Sequence, residues 1–321
     1  FLAWSQSGDV QGPVVYVNYG RIEDFELLVS QGVNLQGAIV LARYGQIFRG
    51  NKASPIEHLE LYVICYFCVE SDEWSLSGTV YPEGPWRPAT GNGDPLTPGI
   101  PSIPGAPRLT LQQAYNDDDT TYNMPLPGIP IVPLSWNDTR PLLAALTGTQ
   151  APEDWQGAIP GIKYRFGGFG NSATARVMVC SIVSTNMTTM KIWNVIGKIP
   201  GAVEPDRIVL MGNHRDAWVF GGADPNSGTA TLMEVAYNFG RLYNGGWRPR
   251  RSIWLCSWDA EEYALIGSTE FVEKREKQLM QQAVVYMNVD IAVTGGLNLS
   301  IQGMPSLTQV VRDVALTIPA P

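Results

Sequence analysis

Between Arg207 and Asp290 the chain alternates short apolar runs with amphipathic stretches: RIVLMG, RSIWLCSW and AVVYMNVD are separated by two segments of helical period. Apolar runs of about 4–8 residues bounded by turn residues, with helical patterns between them, read as parallel strands joined by crossover helices. From Asn226, apolar residues fall at Leu232, Val235, Ala236, Phe239, Leu242 and Tyr243, one face of a 3.6-residue period, and Gly245-Gly246 ends the run. The second crossover helix is predicted to start near Glu261 and run through Phe271 toward Leu279, with two acids in a first turn where the helix dipole favours negative charge. Earlier in the chain, residues 13–18 and 37–44 read as short strands flanking a helix from Ile22 to Ser30. Residues 82–130 are rich in Pro and Gly and read as a long ordered surface loop. A strand and a helix capped near Asn137 follow within 127–146, then two strands within 173–184 and 191–199. The pattern predicts an α/β chain with a domain boundary near residue 189.

Ligands of open α/β sheets bind outside the carboxyl ends of the strands. Each of the three runs ends in polar residues there: His214 and Asp224 after the first, Glu261 and Glu262 after the second, Asp290 after the third. One imidazole and several carboxylates suit Zn²⁺, and an aspartate with two ligating oxygens can bridge a metal pair about 3.5–4 Å apart. Adjacent glutamates can divide the roles of ligand and general base because their side chains diverge. A lone Glu-Glu pair is ordinarily a solvated helix start; it is the company of His214, Asp224 and Asp290 that points to a metal site.

The segments GNHRDAWVFGGADPNSG, WRPRRSIWLCSWDAEEYALIGSTEF and YMNVD resemble the co-catalytic zinc exopeptidases of the glutamate carboxypeptidase II type, including the N-acetylated alpha-linked acidic dipeptidase-like proteins. The resemblance implies His214, Asp224, Glu262 and Asp290 as ligands of two zinc ions, Asp224 as their bridge and Glu261 as the base. It implies for residues 1–189 a protease-associated, or apical, domain lacking its N-terminal part, carried by YVNYGRIEDF and ARYGQIFRGNK, and for residues 190–321 a C-terminally truncated catalytic sheet with helices on both faces. Arg49 of FRGNK matches the arginine that receives the substrate's terminal carboxylate, a task suited to a bidentate guanidinium. Thr97, the Ile100 carbonyl, Glu270 and Glu273 match a structural Ca²⁺ site, and oxygen-only donors suit that ion.

The sequence also departs from the pattern. The segment after Lys52 is unlike the family's. The second zinc needs a further histidine, and the chain contains only His58 and His214. The arginine that selects an acidic penultimate residue is matched by Ser300, which predicts preference for neutral or mixed peptides over acidic N-acetylated dipeptides. Full-length relatives are homodimers anchored as type II proteins on the extracellular face of the plasma membrane; neither the anchor nor the dimerisation domain falls within the matched segments, so a fragment or truncated form is expected. The competing reading is an inactive receptor-like homologue, since the transferrin receptors resemble the same family; intact HRD, GG-x-DP and DAEE motifs favour the peptidase.

With 321 residues and 45% hydrophobic composition, the chain can bury sizeable cores, and its length suggests two domains. A net charge of −8 argues against nucleic acid and anionic membranes as partners and fits a small peptide substrate. The longest apolar stretch, Leu59 to Val69, is too short to span a bilayer. Sequons at Asn137, Asn186 and Asn298 would suit an extracellular glycoprotein, and the four cysteines, lying in apolar runs, read as buried thiols.

Overall fold

The computed structural model describes residues 2–52, 63–67, 77–81, 92–115, 126–167, 178–293 and 299–318, with side chains undescribed for 63–67 and 178–183. His58, Cys68 and Asn298 lie outside the described residues. Eleven strands are described: β1 Leu2–Ala3, β2 Gly8–Tyr16, β3 Ile39–Arg43, β4 Val63–Phe67, β5 Gly78–Thr79, β6 Ile131–Leu134, β7 Met178–Val183, β8 Val195–Ile199, β9 Glu204–His214, β10 Arg251–Trp258 and β11 Ala283–Asn288. They form a pair β1-β5, a five-stranded sheet in the order β6-β4-β3-β2-β7 and a four-stranded sheet in the order β11-β9-β10-β8. The fold is mixed α/β, and the chain passes from the five-stranded to the four-stranded sheet between Val183 and Val195.

In the five-stranded sheet β2, β3, β4 and β6 run parallel, and β7 closes one edge antiparallel to β2. Parallel strands are covered on both faces and need continuous apolar sequence; β3, IVLAR, is buried at all five positions. The predicted helix Ile22–Ser30 forms as expected and buries Phe25 and Leu28. Its start is fixed by Asp24, whose carboxylate accepts from the Arg21 backbone at 3.0 Å and from the Arg21 guanidinium at 2.9 and 3.0 Å. Tyr16, Trp155, Tyr164 and Phe166 meet edge to face at the centre of the core. The helix Trp136–Ala145 is capped by Ser135, not Asn137: the Ser135 hydroxyl accepts from Asp138 N at 3.1 Å. Within the Pro/Gly-rich region, Leu111–Tyr115 forms a short helix.

In the four-stranded sheet β9, β10 and β11 are parallel and β8 is antiparallel to β10. His214 pairs in register with Trp258, and Gly212 with Asn288, so the three parallel strands end at one edge. β10 alternates partly buried and buried residues, setting Trp254 and Trp258 against Phe271 of the helix Ile266–Lys274. The helix Asn226–Asn244 packs against β9, as its period predicts.

The second crossover departs from expectation. No helix begins at Glu261; residues 262–264 form a turn, and helices span Ile266–Lys274 and Glu276–Gln282. Ala260, Ala264 and Leu265 all have positive φ, at 54°, 88° and 57°. These left-handed residues cannot propagate a right-handed helix, and each costs about 1–2 kcal/mol. The acids of DAEE therefore sit in a strained loop ahead of the helix rather than in its first turn.

Candidate functional site

The strand ends bring His214, Asp224 and Asp290 together: one donor atom from each lies within 4.8 Å of the others. His214 Nε2 is 3.0 Å from Asp224 Oδ1 and 2.9 Å from Asp290 Oδ1. The imidazole is 3% exposed while the two aspartates are about half exposed, so the cluster has a buried base and an open mouth. Asp224 precedes a cis peptide bond to Pro225, at the start of the helix Asn226–Asn244. Gly228 lets that helix approach the end of β11: a Cβ there would lie 2.0 Å from Val289 O and 2.2 Å from Asp290 O. Asn213 donates to Thr229 Oγ1 at 2.7 Å, and Thr229 donates to His214 O at 2.9 Å, tying the histidine's backbone to the same helix.

Glu261 reaches the rim of this cluster, its Oε2 3.9 Å from His214 Nε2. Glu262 instead accepts from Trp218 N at 3.1 Å, while Asp224 is close enough to act on its charge. The divergence expected of adjacent glutamates is present, without the expected helix. The loop is positioned by Asp216, to which the motif reading assigned no role. Its two carboxylate oxygens accept from Glu261 N at 3.0 Å and Glu262 N at 3.1 Å, and Oδ1 lies 3.4 Å from His214 Nδ1. The signal was in the sequence: an acid two residues beyond the histidine that ends β9.

The charges are mutually perturbing. Burial pushes Glu261 up to about 7, partly opposed by His214 and reinforced by Asp290. Burial and then Asp224 push Glu262 up to about 7. Burial and then Asp290 raise Asp224. For His214, burial favours the neutral ring, but Asp216, Glu261 and Asp290 together outweigh it and raise the pKa to about 9. Burial would raise Asp216; its close approach to His214 and its bonds to the two glutamate amides reverse this and hold it low. Carboxylates crowded at a partly buried site are the setting a divalent cation relieves. One imidazole and two carboxylates with an open fourth direction also match a catalytic zinc donor set. The residues present therefore fit zinc.

The other predicted site residues lie apart from this cluster. Glu270 accepts from Asp94 N at 2.9 Å and from Ser102 N, which places it under the turn containing Thr97 and Ile100. Thr97 Oγ1 and Glu273 Oε2 are buried with no hydrogen-bond partner, and burial, then Glu270 and Asp94, push Glu273 up to about 7. Two orphaned buried oxygens beside a second carboxylate fit an oxygen-ligated cation such as Ca²⁺. Arg49 stands over the Phe48 ring at 5.0 Å and donates to Thr79 O at 3.3 Å, beside β5. Ser300 is exposed, and Cys256 is a buried free thiol. A cleft of about 980 Å³ runs between Trp4, Ile103, Trp193 and Phe271; its lining includes Glu270 but none of the five residues of the strand-end cluster. Among the described residues no helix is long and apolar enough to cross a membrane.

Residues 194–321 match the model of peptidase family M28. Over its whole length the chain is 42% identical to the mouse protein described as aminopeptidase NAALADL1 and covers 44% of it. It is 39% identical to a glutamate carboxypeptidase 2 homolog of Caenorhabditis briggsae and covers 42% of that protein. With the probable glutamate carboxypeptidase LAMP1 of Arabidopsis thaliana the identity is 41% and the coverage 45%. The chain thus spans less than half the length of these relatives. A solved zinc aminopeptidase from Bacillus subtilis superposes with a TM-score of 0.49 at 16% identity, over 89% of this chain and 50% of that one. Residues 194–321 are thus similar to peptidase family M28, and the chain as a whole is similar in sequence to the glutamate carboxypeptidase 2 and NAALADL1 proteins.

Proposed function

We propose that this chain carries the metal centre of a zinc exopeptidase acting on small peptides. The observation that carries the reading is the convergence of His214, Asp224 and Asp290 at the carboxyl edge of three parallel strands. These three would hold one zinc, and Asp224 with Glu262 would contribute to a second. When bound, zinc supplies Lewis acidity toward water and toward a peptide carbonyl. Glu261, at the rim, takes a proton from the attacking water and returns it to the leaving amine, which needs a carboxylate near the ligands that is not itself one. Asp216 orients the His214 ring from its Nδ1 side and holds the backbone of both glutamates.

Residues 1–189 act in this reading as a protease-associated domain that supplies Arg49 as receptor for the substrate carboxylate, and residues 190–321 as the catalytic domain. Thr97, Ile100, Glu270 and Glu273 hold a structural calcium between the loop and the helix Ile266–Lys274. With Ser300 where an arginine would select an acidic residue, neutral dipeptides are preferred over N-acetylated acidic ones.

The deciding experiment pairs bound zinc with hydrolysis of a dipeptide panel in wild type and Glu261→Gln. The reading expects turnover to fall by roughly a hundredfold or more, as for loss of a general base, with zinc content unchanged. Loss of zinc in Glu261→Gln would make Glu261 a ligand, and retained turnover would remove it from the reaction.

A further inference from the structure

The loop Asp259–Gly267, which carries both glutamates, is clasped at its neck by a side chain outside it. Asn194 Oδ1 accepts from Asp259 N at 3.1 Å, and Asn194 Nδ2 donates to Gly267 O at 2.7 Å. A donor on one side and a carbonyl on the other fix which way the amide points. The neck is also closed directly, with Gly267 N donating to Asp259 O at 3.0 Å. It is so narrow that a Cβ on Gly267 would lie 2.1 Å from Asp259 O and 2.6 Å from Asn194 Oδ1.

The neighbouring residue reinforces the clasp: Trp193 N donates to Asp259 Oδ2 at 2.8 Å, and Arg215 pairs with the same carboxylate at 3.3 Å while donating to Trp193 O. Arg215 lies between His214 and Asp216, so one network joins the start of β8, the histidine motif and the base of the glutamate loop. The loop needs such an anchor. Three of its nine residues hold left-handed backbone without being glycine, and such conformations persist only where the surroundings over-determine them.

We infer that Asn194 is a positioning residue: its side-chain amide clamps the strained Asp259–Gly267 loop so that Glu261 and Glu262 are presented to the metal cluster. The inference rests on the roles given above to those glutamates, and the test separates the two. Hydrogen exchange is followed on the intact chain in wild type, Asn194→Ala and Asn194→Asp, with zinc titration and thermal melts beside it and Glu262→Ala as reference. Asn194→Asp keeps an acceptor for Asp259 N but faces Gly267 O with a lone pair. Losing one or two hydrogen bonds predicts roughly tenfold faster exchange of the Glu261, Glu262 and Gly267 amides, unchanged exchange in β9 and β10, and weaker zinc binding. Unchanged loop exchange overturns the clamp. So does acceleration spread equally through β9 and β10, which would mark Asn194 as an ordinary stabilising contact. If both Asn194 variants loosen the loop while Glu262→Ala binds zinc as wild type does, the clamp stands and the ligand role of Glu262 falls.

Discussion

The two sheets of this chain use similar topology for opposite ends. The five-stranded sheet buries a continuous core from Leu2 to Phe166, and its charged groups are consumed internally: Asp24 by Arg21 and Asn18, and Lys52 by the carbonyls of Tyr19 and Gly45 at 2.5 and 2.9 Å. The four-stranded sheet buries a much smaller cluster around Trp254, Trp258 and Phe271, and its ionisable groups gather at one edge, where burial first and neighbouring carboxylates second raise the proton affinity of Asp224, Glu261 and Glu262. A fully paired buried charge stabilises or specifies a fold; carboxylates left crowded at a strand edge mark a place where something else completes the charge balance. The lesson is that the crowding of like charges at one strand edge, more than the presence of buried polar groups, separates site from scaffold: Arg43 Nε is buried without a hydrogen-bond partner in the five-stranded region as well.

The largest expected effect breaks the scaffold alone. Trp155→Ala removes a residue packed edge to face on Tyr16 and Phe166 and is expected to cost about 3–5 kcal/mol of stability. At a temperature where the variant stays folded, its zinc titration should match wild type; altered zinc binding would mean that the two regions are coupled.

Lys52 sharpens the contrast through pH. Burial, reinforced by Arg21 and Arg43 and opposed by Asp24, lowers its pKa to about 8. With the folded pKa below the unfolded value of 10.5, the unfolded chain binds more protons between about pH 8 and 10.5, so this group's contribution to stability rises with pH across that window. At about 1.4 kcal/mol per pKa unit the rise is on the order of 3 kcal/mol. Comparing denaturant midpoints of wild type and Lys52→Met from pH 7 to 10.5 isolates it; parallel curves would show that Lys52 is not the titrating group.

In the site, Asp216→Ala removes acceptors from two partly buried amides and is expected to cost about 2 kcal/mol. Zinc affinity should drop with it, because the His214 ring loses its Nδ1 neighbour; a typical loss for such outer partners is about 10–100-fold. Isothermal titration checks this, and unchanged affinity would remove Asp216 from the metal centre. The smallest effect is calcium's: an excess of about ten times the dissociation constant stabilises by about 1.4 kcal/mol, seen as a higher melting temperature. Glu273→Gln should abolish the increment, and its survival would place the cation elsewhere.

What the sequence made legible follows from how local each signal is. His214, Asp224 and Asp290 could be read because each ends or follows an apolar run, and the parallel register that aligns the runs is a consequence of the same pattern. The start of the second crossover helix could not, because the left-handed backbone at Ala260, Ala264 and Leu265 falls on residues with no turn signature. Asn194 has no sequence signal as a partner of the glutamate loop, since its bonds span 65 and 73 residues; Asp216 shows in the sequence as an acid two residues beyond His214, but nothing local marks the amides it holds 45 and 46 residues away. The cap of the helix Trp136–Ala145 was misplaced by two residues because Ser135 and Asn137 are both cap formers; the Asp138 amide chose the serine. Arg49 is legible only through the FRGNK motif, because its contacts, the Phe48 ring and Thr79 O, are local to its own region.

The most direct test of the metal centre is anomalous diffraction at the zinc edge from crystals grown with zinc. The account predicts a peak at about 2.0–2.2 Å from His214 Nε2, Asp224 and Asp290, with the Glu261 carboxylate unligated. A strand-end triad that stays hydrogen-bonded to itself while zinc binds elsewhere, or nowhere, would contradict it.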